Sequence, residues 1–334
     1  MPRRLIEVGG AKPLLDIASY ARPGPGRRDH LSRDEMEFIA RTASRTPEVM
    51  VKVLSRGGHD VKAVGRHIAY LNRGGDVEIE TDDGQRLSGD GVEKELLEDW
   101  DLDLDEHRRT ADLKPRPSRS PPKLVHKLMF SMPAGAPSDK VLAAVKNFAR
   151  EEFAFKHRYA MVLHTDEPHP HVHLVVKAVS EQGVRLHIRK ATLREWRSGF
   201  ARHLRGQGIA ANATERAARG QTSTPKLDGI YRAAQRGESR HLSDRSLAAA
   251  RQFAKGSQDF ERDSIRLRET RRQVQRGWSA VADILIDMGQ NELAAQVKQF
   301  VSQMPPPRTD AERLAGELGM RIRASPSRDG PSTR

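Results

Sequence analysis

The feature that most constrains the fold is a pair of apolar segments joined by a short polar stretch. Residues 158–163 and 172–179 have the composition of strands, and residues 166–170 between them hold Asp and Pro, which favour turns. Strands connected this closely pair antiparallel. We therefore expect an antiparallel sheet at the centre of the protein.

The neighbouring segments extend this interpretation. Residues 61–71 place apolar side chains at helical spacing, which predicts an amphipathic helix that carries Tyr70. Two more helices are predicted at residues 138–153 and 192–205. Further strands are predicted at residues 49–54, 123–130 and 184–188, with a short hairpin at residues 77–86. This pattern indicates an α+β domain, in which helices pack on an antiparallel sheet.

Changes in composition divide the chain into four parts. We expect an N-terminal arm at residues 1–46, a domain that holds the sheet at 47–220, a helical region at 221–304 and a flexible tail at 305–334. Residues 76–122 are expected to form a solvated acidic excursion from the domain. Between Asp76 and Glu106 there are fourteen Asp or Glu residues and two Lys or Arg residues.

The charge of the whole chain points to a polyanionic partner. The formal net charge is +13 and the pI is near 10.2, so nucleic acid is the leading candidate, because basic side chains that neutralise phosphates release condensed counterions. A generally basic, solvated surface is the alternative. Residues 185–219 hold nine Lys or Arg residues and two Glu residues. Candidate DNA contacts there are Arg185, Arg189, Lys190, Arg194 and Arg197.

Two absences in the sequence limit the chemistry. The chain has no cysteine, so a metal must be held by His or carboxylate groups, and a covalent nucleophile must be Ser, Thr, Tyr or Lys. No run approaches the roughly 18 apolar residues of a membrane-spanning helix, so we expect no membrane insertion and a cytoplasmic protein.

Four histidines within ten positions predict a metal site. Side chains two apart on a strand share a face, so His171 and His173 project together, and the hairpin turn brings His164 opposite them. Three ligands leave open positions for water or substrate, as a catalytic metal requires. His169 is an alternative ligand or a loop residue. Asp166 is either an acceptor for the N–H of a ligand histidine or an ordinary turn residue.

Tyr70 is the candidate nucleophile among four tyrosines. Arg66 and His67 lie one turn before it on the predicted helix, and Arg73 lies three residues after it, so cationic groups surround the phenol. Both arginines are also candidate DNA contacts. The alternative is an amphipathic tyrosine at the rim of the helix.

Three segments resemble one family. Residues 164–176 read HTDEPHPHVHLVV, residues 67–75 read HIAYLNRGG, and residues 213–220 read ATERAARG. Together they resemble the relaxases of conjugative and mobilisable elements, in the MOBP-type branch that includes the T-DNA border endonuclease of plant-transforming bacteria. These relaxases are HUH endonucleases, named for the His-hydrophobe-His motif. The resemblance covers about residues 49–220.

The resemblance implies a fold and an activity. The fold would be a five-stranded antiparallel sheet flanked by helices, with Mg²⁺ or Mn²⁺ on the three histidines. Tyr70 would nick single-stranded DNA at an origin of transfer and keep a 5′-phosphotyrosine link. Implied partners are relaxosome accessory proteins and a type IV coupling protein, with transfer of the protein into a recipient cell alongside the DNA. This chain departs from the family in having His169 where Asn is usual, and in having a long arm before the tyrosine.

Two other functions fit the same residues. A replication initiator or transposase would use the same His, metal and Tyr groups, although no Gly-x-x-x-x-Gly-Lys phosphate loop is present. A basic nucleic-acid-binding protein with a structural metal site would bind DNA without cleaving it.

Overall fold

The structure is a computed structural model that describes residues 17, 20, 29–54, 58–112, 122–222, 244, 258–309 and 312–313. The described helices are α1 (Arg33–Ala43), α2 (Val61–Leu71), α3 (Val92–Asp99), α4 (Leu102–Asp112), α5 (Ser138–Phe153), α6 (Lys190–Gly206), α7 (Gln258–Asp287) and α8 (Asn291–Ser302), with a 3-10 turn at Arg73–Gly75. The described strands are β1 (Met50–Leu54), β2 (Ile79–Thr81), β3 (Arg86–Leu87), β4 (Val125–Ser131), β5 (Tyr159–His164) and β6 (His171–Lys177).

The six strands form one antiparallel sheet in the order β1-β4-β6-β5-β2-β3. The predicted α+β class with an antiparallel sheet and packed helices is confirmed, but the sheet has six strands rather than five. The short hairpin of β2 and β3 adds to the free edge of β5 through Glu80 and Thr81. The strand predicted at 184–188 is wrong, because that segment makes only an isolated bridge between Val179 and Arg185.

One face of the sheet is covered by an aromatic core. The helices α5 and α6 pack there, and Phe130 of β4 contacts Phe148 at 5.0 Å and Phe200 at 5.2 Å between ring centroids. Val172, Leu174 and Val176 belong to the same core, which fixes the even-numbered side of β6 as apolar. The odd-numbered side, with His171 and His173, therefore faces the other way.

The opposite face is covered in part by α2, α3 and α4. Here the structure corrects the expectation of a solvated acidic excursion at residues 76–122. Leu96, Trp100 and Leu102 are at most 1% exposed and pack with Val64 and Ile68 of α2. The acidic residues lie on the outer sides of helices whose inner sides complete a hydrophobic core, so this segment is part of the domain. Residues 113–121 lie outside the described part.

The described residues fall into two compact units. Those within 45–213 form the unit that contains the sheet, and those within 14–44 and 214–313 form a second, helical unit. The segment expected as an arm therefore includes an element of the helical unit: α1 begins with the capping box of Ser32 and Glu35, and its Phe38 and Ile39 are buried with residues of α7 and α8. An amphipathic helix buries its apolar side against a partner surface, which explains why α1 packs in the helical unit instead of forming a separate arm.

Gly277 of α7 packs closely against the backbone of Ile17 within the helical unit. A Cβ atom at Gly277 would lie 2.1 Å from the Ile17 carbonyl oxygen, so this position of α7 has room only for glycine. Within the predicted helical region 221–304, residues 223–243 and 245–257 are outside the described part, as is most of the predicted tail after 309. None of the described helices is both long and apolar enough to cross a membrane.

Candidate metal centre

Three histidines converge at the junction of β5 and β6. His164 pairs directly with His171 in the antiparallel register, and His173 follows two residues later on the same side of β6. Their candidate ligand atoms all lie within 4.8 Å of one another, and the ring centroids are 4.9 to 5.3 Å apart. The structure thus brings together the three predicted ligands. The exposed His169 ring lies outside this group.

Backbone carbonyl groups orient two of these rings. The Nε2 of His164 donates to the Leu71 carbonyl oxygen at 2.8 Å, and the Nδ1 of His171 donates to the His169 carbonyl oxygen at 3.0 Å. Because a carbonyl oxygen only accepts, each ring keeps its other nitrogen free of the proton. This arrangement is typical of histidines that bind a metal. His169 acts here through its backbone.

Burial disfavours the protonated form of two of the three histidines, His164 and His173. Burial is the main cause that lowers the pKa of His164, and burial lowers the pKa of His173 to about 3, with the other two rings adding to this shift. The Nδ1 of His173 is buried, and no described residue forms a hydrogen bond with it. Three converging imidazoles, two of them buried, fit a divalent cation.

The candidate nucleophile lies on the helix that contacts this centre. Tyr70 is 62% exposed near the end of α2, and the carbonyl group of the next residue, Leu71, holds the His164 ring. The Arg73 guanidinium lies over the Tyr70 ring, 5.5 Å from its centroid, and also pairs with Asp166. The structure therefore links the phenol to the metal centre through α2 and the loop at 165–170.

The position of Asp166 differs from one expectation. The acceptors for the ring N–H groups of His164 and His171 are carbonyl oxygens, so Asp166 orients neither of these two rings. It lies exposed in the loop between β5 and β6, where the Arg73 side chain reaches it. Asp166 therefore contributes to the position of Arg73.

The predicted DNA contacts on α6 do not join the metal centre. Trp196 and Phe200 bury this helix in the aromatic core, on the face of the sheet opposite His171 and His173. The four predicted basic residues at and after its start are Arg189, Lys190, Arg194 and Arg197. Arg185 is held against the fold, because its guanidinium donates to the Lys123 carbonyl oxygen at 2.8 Å. Arg66 is exposed on α2, one turn before Tyr70.

Two more groups lie beside the metal centre: His67, which the sequence placed among the cationic groups around Tyr70, and Lys127, which the sequence analysis did not single out. His67 of α2 lies with its ring centroid 6.5 Å from that of His173, and Lys127 of β4 lies close enough for its charge to affect the pKa of His67. Burial is the larger cause, and together they lower the pKa of His67 to about 4. The sequence signal for these two groups was a charged residue, Lys127, in the middle of the mostly apolar strand β4.

Comparison with known proteins agrees with this geometry. Residues 74–209 match the sequence model of the relaxase family described as MobA/VirD2-like, nuclease domain. The matched segment includes the three histidines and begins shortly after Tyr70. The T-DNA border endonuclease VirD2 of Agrobacterium fabrum (strain C58 / ATCC 33970) is 26% identical over 209 residues. The alignment covers 58% of this chain and 46% of VirD2, so the chain spans less than half the length of that relative.

Among solved structures, a relaxase domain is similar to part of the chain. It is the MobM relaxase domain bound to plasmid pMV158 oriT DNA, in a Mn-bound crystal structure. The similarity covers 56% of this chain and 98% of that domain, with 13% sequence identity and a TM-score of 0.36.

Proposed function

We propose that this chain, which carries a relaxase nuclease domain of the MobA/VirD2-like family at residues 74–209, nicks single-stranded DNA by tyrosine transesterification at an origin of transfer. The observation that carries the proposal is the convergence of His164, His171 and His173 beside the helix that presents Tyr70. A metal centre next to an exposed phenol in a basic chain suits phosphoryl transfer.

The donor set supports a catalytic metal site. Three imidazole ligands leave coordination positions open, and two of the three are already oriented by carbonyl oxygens. When bound, Mg²⁺ or Mn²⁺ would supply Lewis-acid stabilisation of the phosphate oxygens. The chain places the rings on paired strands, and burial disfavours protonation of His164 and His173.

Tyr70 carries the covalent step in this proposal. Its Oη attacks the scissile phosphorus, the Oη–P bond forms, and the P–O3′ bond breaks. The phenol loses its proton, and the departing 3′ oxygen gains one, so the products are a 5′-phosphotyrosine and a free 3′-hydroxyl. Arg73, over the Tyr70 ring and paired with Asp166, keeps the phenol in place and adds positive charge beside the phosphate.

The proposal extends to the biological setting. A strand held through a phosphotyrosine retains the energy of the broken bond, so the same residue can rejoin the DNA after transfer. Such a reaction serves the transfer of a plasmid or an integrative element. Relaxosome accessory proteins and a type IV coupling protein are the proposed partners, and the exposed arginines of α7, such as Arg266 and Arg272, are a proposed surface for them.

The test is formation of a protein–DNA adduct that resists denaturant. Purified protein is incubated with a fluorescent library of single-stranded oligonucleotides and Mn²⁺ or Mg²⁺. We expect a metal-dependent adduct that Tyr70→Phe abolishes, while DNA binding stays nearly unchanged because Phe removes only the hydroxyl group. An adduct of equal yield in Tyr70→Phe would show that another residue is the nucleophile.

A second variant tests the metal centre. Replacing His171 and His173 with Ala should remove both the bound metal and the adduct. If elemental analysis still finds one metal ion per chain, the ligand set is wrong. If metal stabilises the wild-type protein and DNA binds without any adduct, the site is structural.

A further inference from the structure

The metal-facing side of the sheet carries two nearly buried lysines that differ in their partners. Lys127 of β4 is 5% exposed, and Lys177 of β6 is 6% exposed. They share a face, because Lys127 pairs with Val175, two residues before Lys177. The Nζ of Lys177 lies 3.7 Å from a carboxylate oxygen of Asp105 and 3.4 Å from one of Glu181.

Lys127 has no comparable counter-ion. No described carboxylate forms an ion pair with it, although the more distant Asp60 interacts with its charge. Burial, with the nearby Lys123, lowers the pKa of Lys127. Desolvating an ammonium group without a partner is costly, whereas the paired Lys177 shows the usual arrangement. An anion that binds beside Lys127 would therefore be stabilised by a preformed cation.

The unpaired lysine lies next to the metal centre. Met129 pairs directly with His173, so Lys127 is a diagonal neighbour of His173, at a distance of about 7–8 Å between Cα atoms. His67 is beside both, and its Nε2 is buried with no hydrogen-bond partner in the described part of the chain. Within the described part of the chain, a buried lysine without an ion pair and a buried ring nitrogen without a hydrogen bond thus lie at the same place.

The adjoining strand β1 presents exposed side chains on the same side of the sheet. On β1, Lys52 pairs with Met129 and is exposed, and Met50 is 38% exposed. Direct pairing places Lys52 on the metal-facing side, so a row from Lys52 through Met129 to His173 crosses the sheet. This row combines positive charge with apolar side chains that bases can contact.

We propose that Lys127 and His67 bind the phosphate next to the scissile phosphate and so hold the strand in register on the metal centre. A phosphodiester would supply the negatively charged partner that Lys127 lacks. Its two free oxygens accept hydrogen bonds from the Lys127 Nζ and the His67 Nε2. Both are positioning residues, because neither touches the reacting phosphorus. The inference rests on the proposed relaxase function.

The test measures how DNA binding depends on salt. Binding of fluorescent oligothymidylate to the full chain is titrated at several salt concentrations for the wild type and for Lys127→Met. Loss of one phosphate contact should weaken binding roughly tenfold at low salt and reduce the slope of log K against log salt by about 0.7. Lys127→Arg, which keeps the charge, should restore most of the slope.

Matched variants separate this role from a structural one. Lys127→Met removes an unpaired buried charge, so its melting temperature should equal or exceed that of the wild type. Lys177→Met removes a paired lysine from the same face, and it should lose stability without a change in the salt slope. A wild-type slope in Lys127→Met, or a large fall in its melting temperature without weaker binding, would overturn the proposal.

The adduct assay distinguishes this inference from the proposed function. If the wild type forms the adduct and Lys127→Met changes neither the slope nor the rate of adduct formation, the phosphate site is wrong and the relaxase function stands. If the wild type forms no adduct but Lys127→Met still reduces the slope, the phosphate site stands and the chemistry is wrong.

Discussion

Replacing Arg73 with Gly should lower activity with little change in stability. Arg73 has a φ of 57°, in the left-handed region that disfavours residues with a Cβ atom. Left-handed geometry costs such a residue roughly 1–2 kcal/mol, and the greater freedom of Gly in the unfolded chain offsets about 0.5–1 kcal/mol of the gain. The loss of the Arg73 contacts with Tyr70 and Asp166 offsets the remaining gain, so we expect the free energy of unfolding of Arg73→Gly to stay within about 1 kcal/mol of the wild-type value.

The expected loss of activity follows from two contacts of Arg73. Its contact with the Tyr70 ring at 5.5 Å contributes about 0.5–1 kcal/mol at an exposed site. Its ion pair with Asp166 contributes about 0.2–1 kcal/mol, since the two side chains are 36% and 54% exposed. Together these contacts hold the phenol by about 1–2 kcal/mol, so the rate of adduct formation should fall about tenfold.

Two measurements on the wild type, Arg73→Gly and Arg73→Ala test this prediction. Urea unfolding gives the free energy of unfolding, and single-turnover incubation with labelled single-stranded DNA gives the rate of adduct formation. Arg73→Ala is the matched control, because it removes the same side chain but keeps the left-handed strain. It should be as slow as Arg73→Gly and less stable. Wild-type rates in both variants would refute the positioning role of Arg73.

Two further predictions concern stability. Burial, as the largest cause, lowers the pKa of His126 from 6.5 to about 4, so its neutral form stabilises the fold above pH 6.5 and this contribution is lost as the pH falls to about 4. After allowance for solvent screening, the loss is roughly 2 kcal/mol. This loss should disappear from urea titrations of His126→Gln, whose side chain can still donate to the Leu186 carbonyl oxygen. Equal acid sensitivity of the wild type and His126→Gln would contradict this prediction. Trp100→Ala should cost about 3–5 kcal/mol in thermal or urea unfolding because its ring is 1% exposed, whereas Trp100→Phe should cost much less; a change near zero would mean that the acidic segment is not part of the core.

Alternation along strands explains why the metal centre was predictable. A two-residue period places His171 and His173 on one side, and the short connection brings back His164, so the group follows from the sequence alone. The function of His169 could not be predicted in this way. Its carbonyl group, rather than its ring, contacts the site, and that depends on the backbone path of the loop.

The acidic segment shows how charge can obscure a packing pattern. Val92, Leu96 and Trp100 recur at intervals of four, which is helical spacing, but the surrounding carboxylates suggested solvation. The placement of α6 was beyond sequence reasoning for another reason. A basic helix that follows the metal hairpin can pack on either side of a sheet, and only the fit of Trp196 and Phe200 against the aromatic core selects the far side.

The β5–β6 hairpin carries all three histidines, so their arrangement depends on one short segment of the chain. All three ligands come from ten consecutive residues, so little loop-closure entropy is lost when they meet. The candidate nucleophile, Tyr70, comes from a distant part of the sequence, since the hydrogen bond that joins its helix to the three histidines spans 93 positions. The order of the two parts in the sequence is therefore not fixed by the chemistry. A helix with a suitable hydroxyl group could enter from elsewhere in a chain, or be exchanged for another, while the hairpin that carries the three histidines stays as it is.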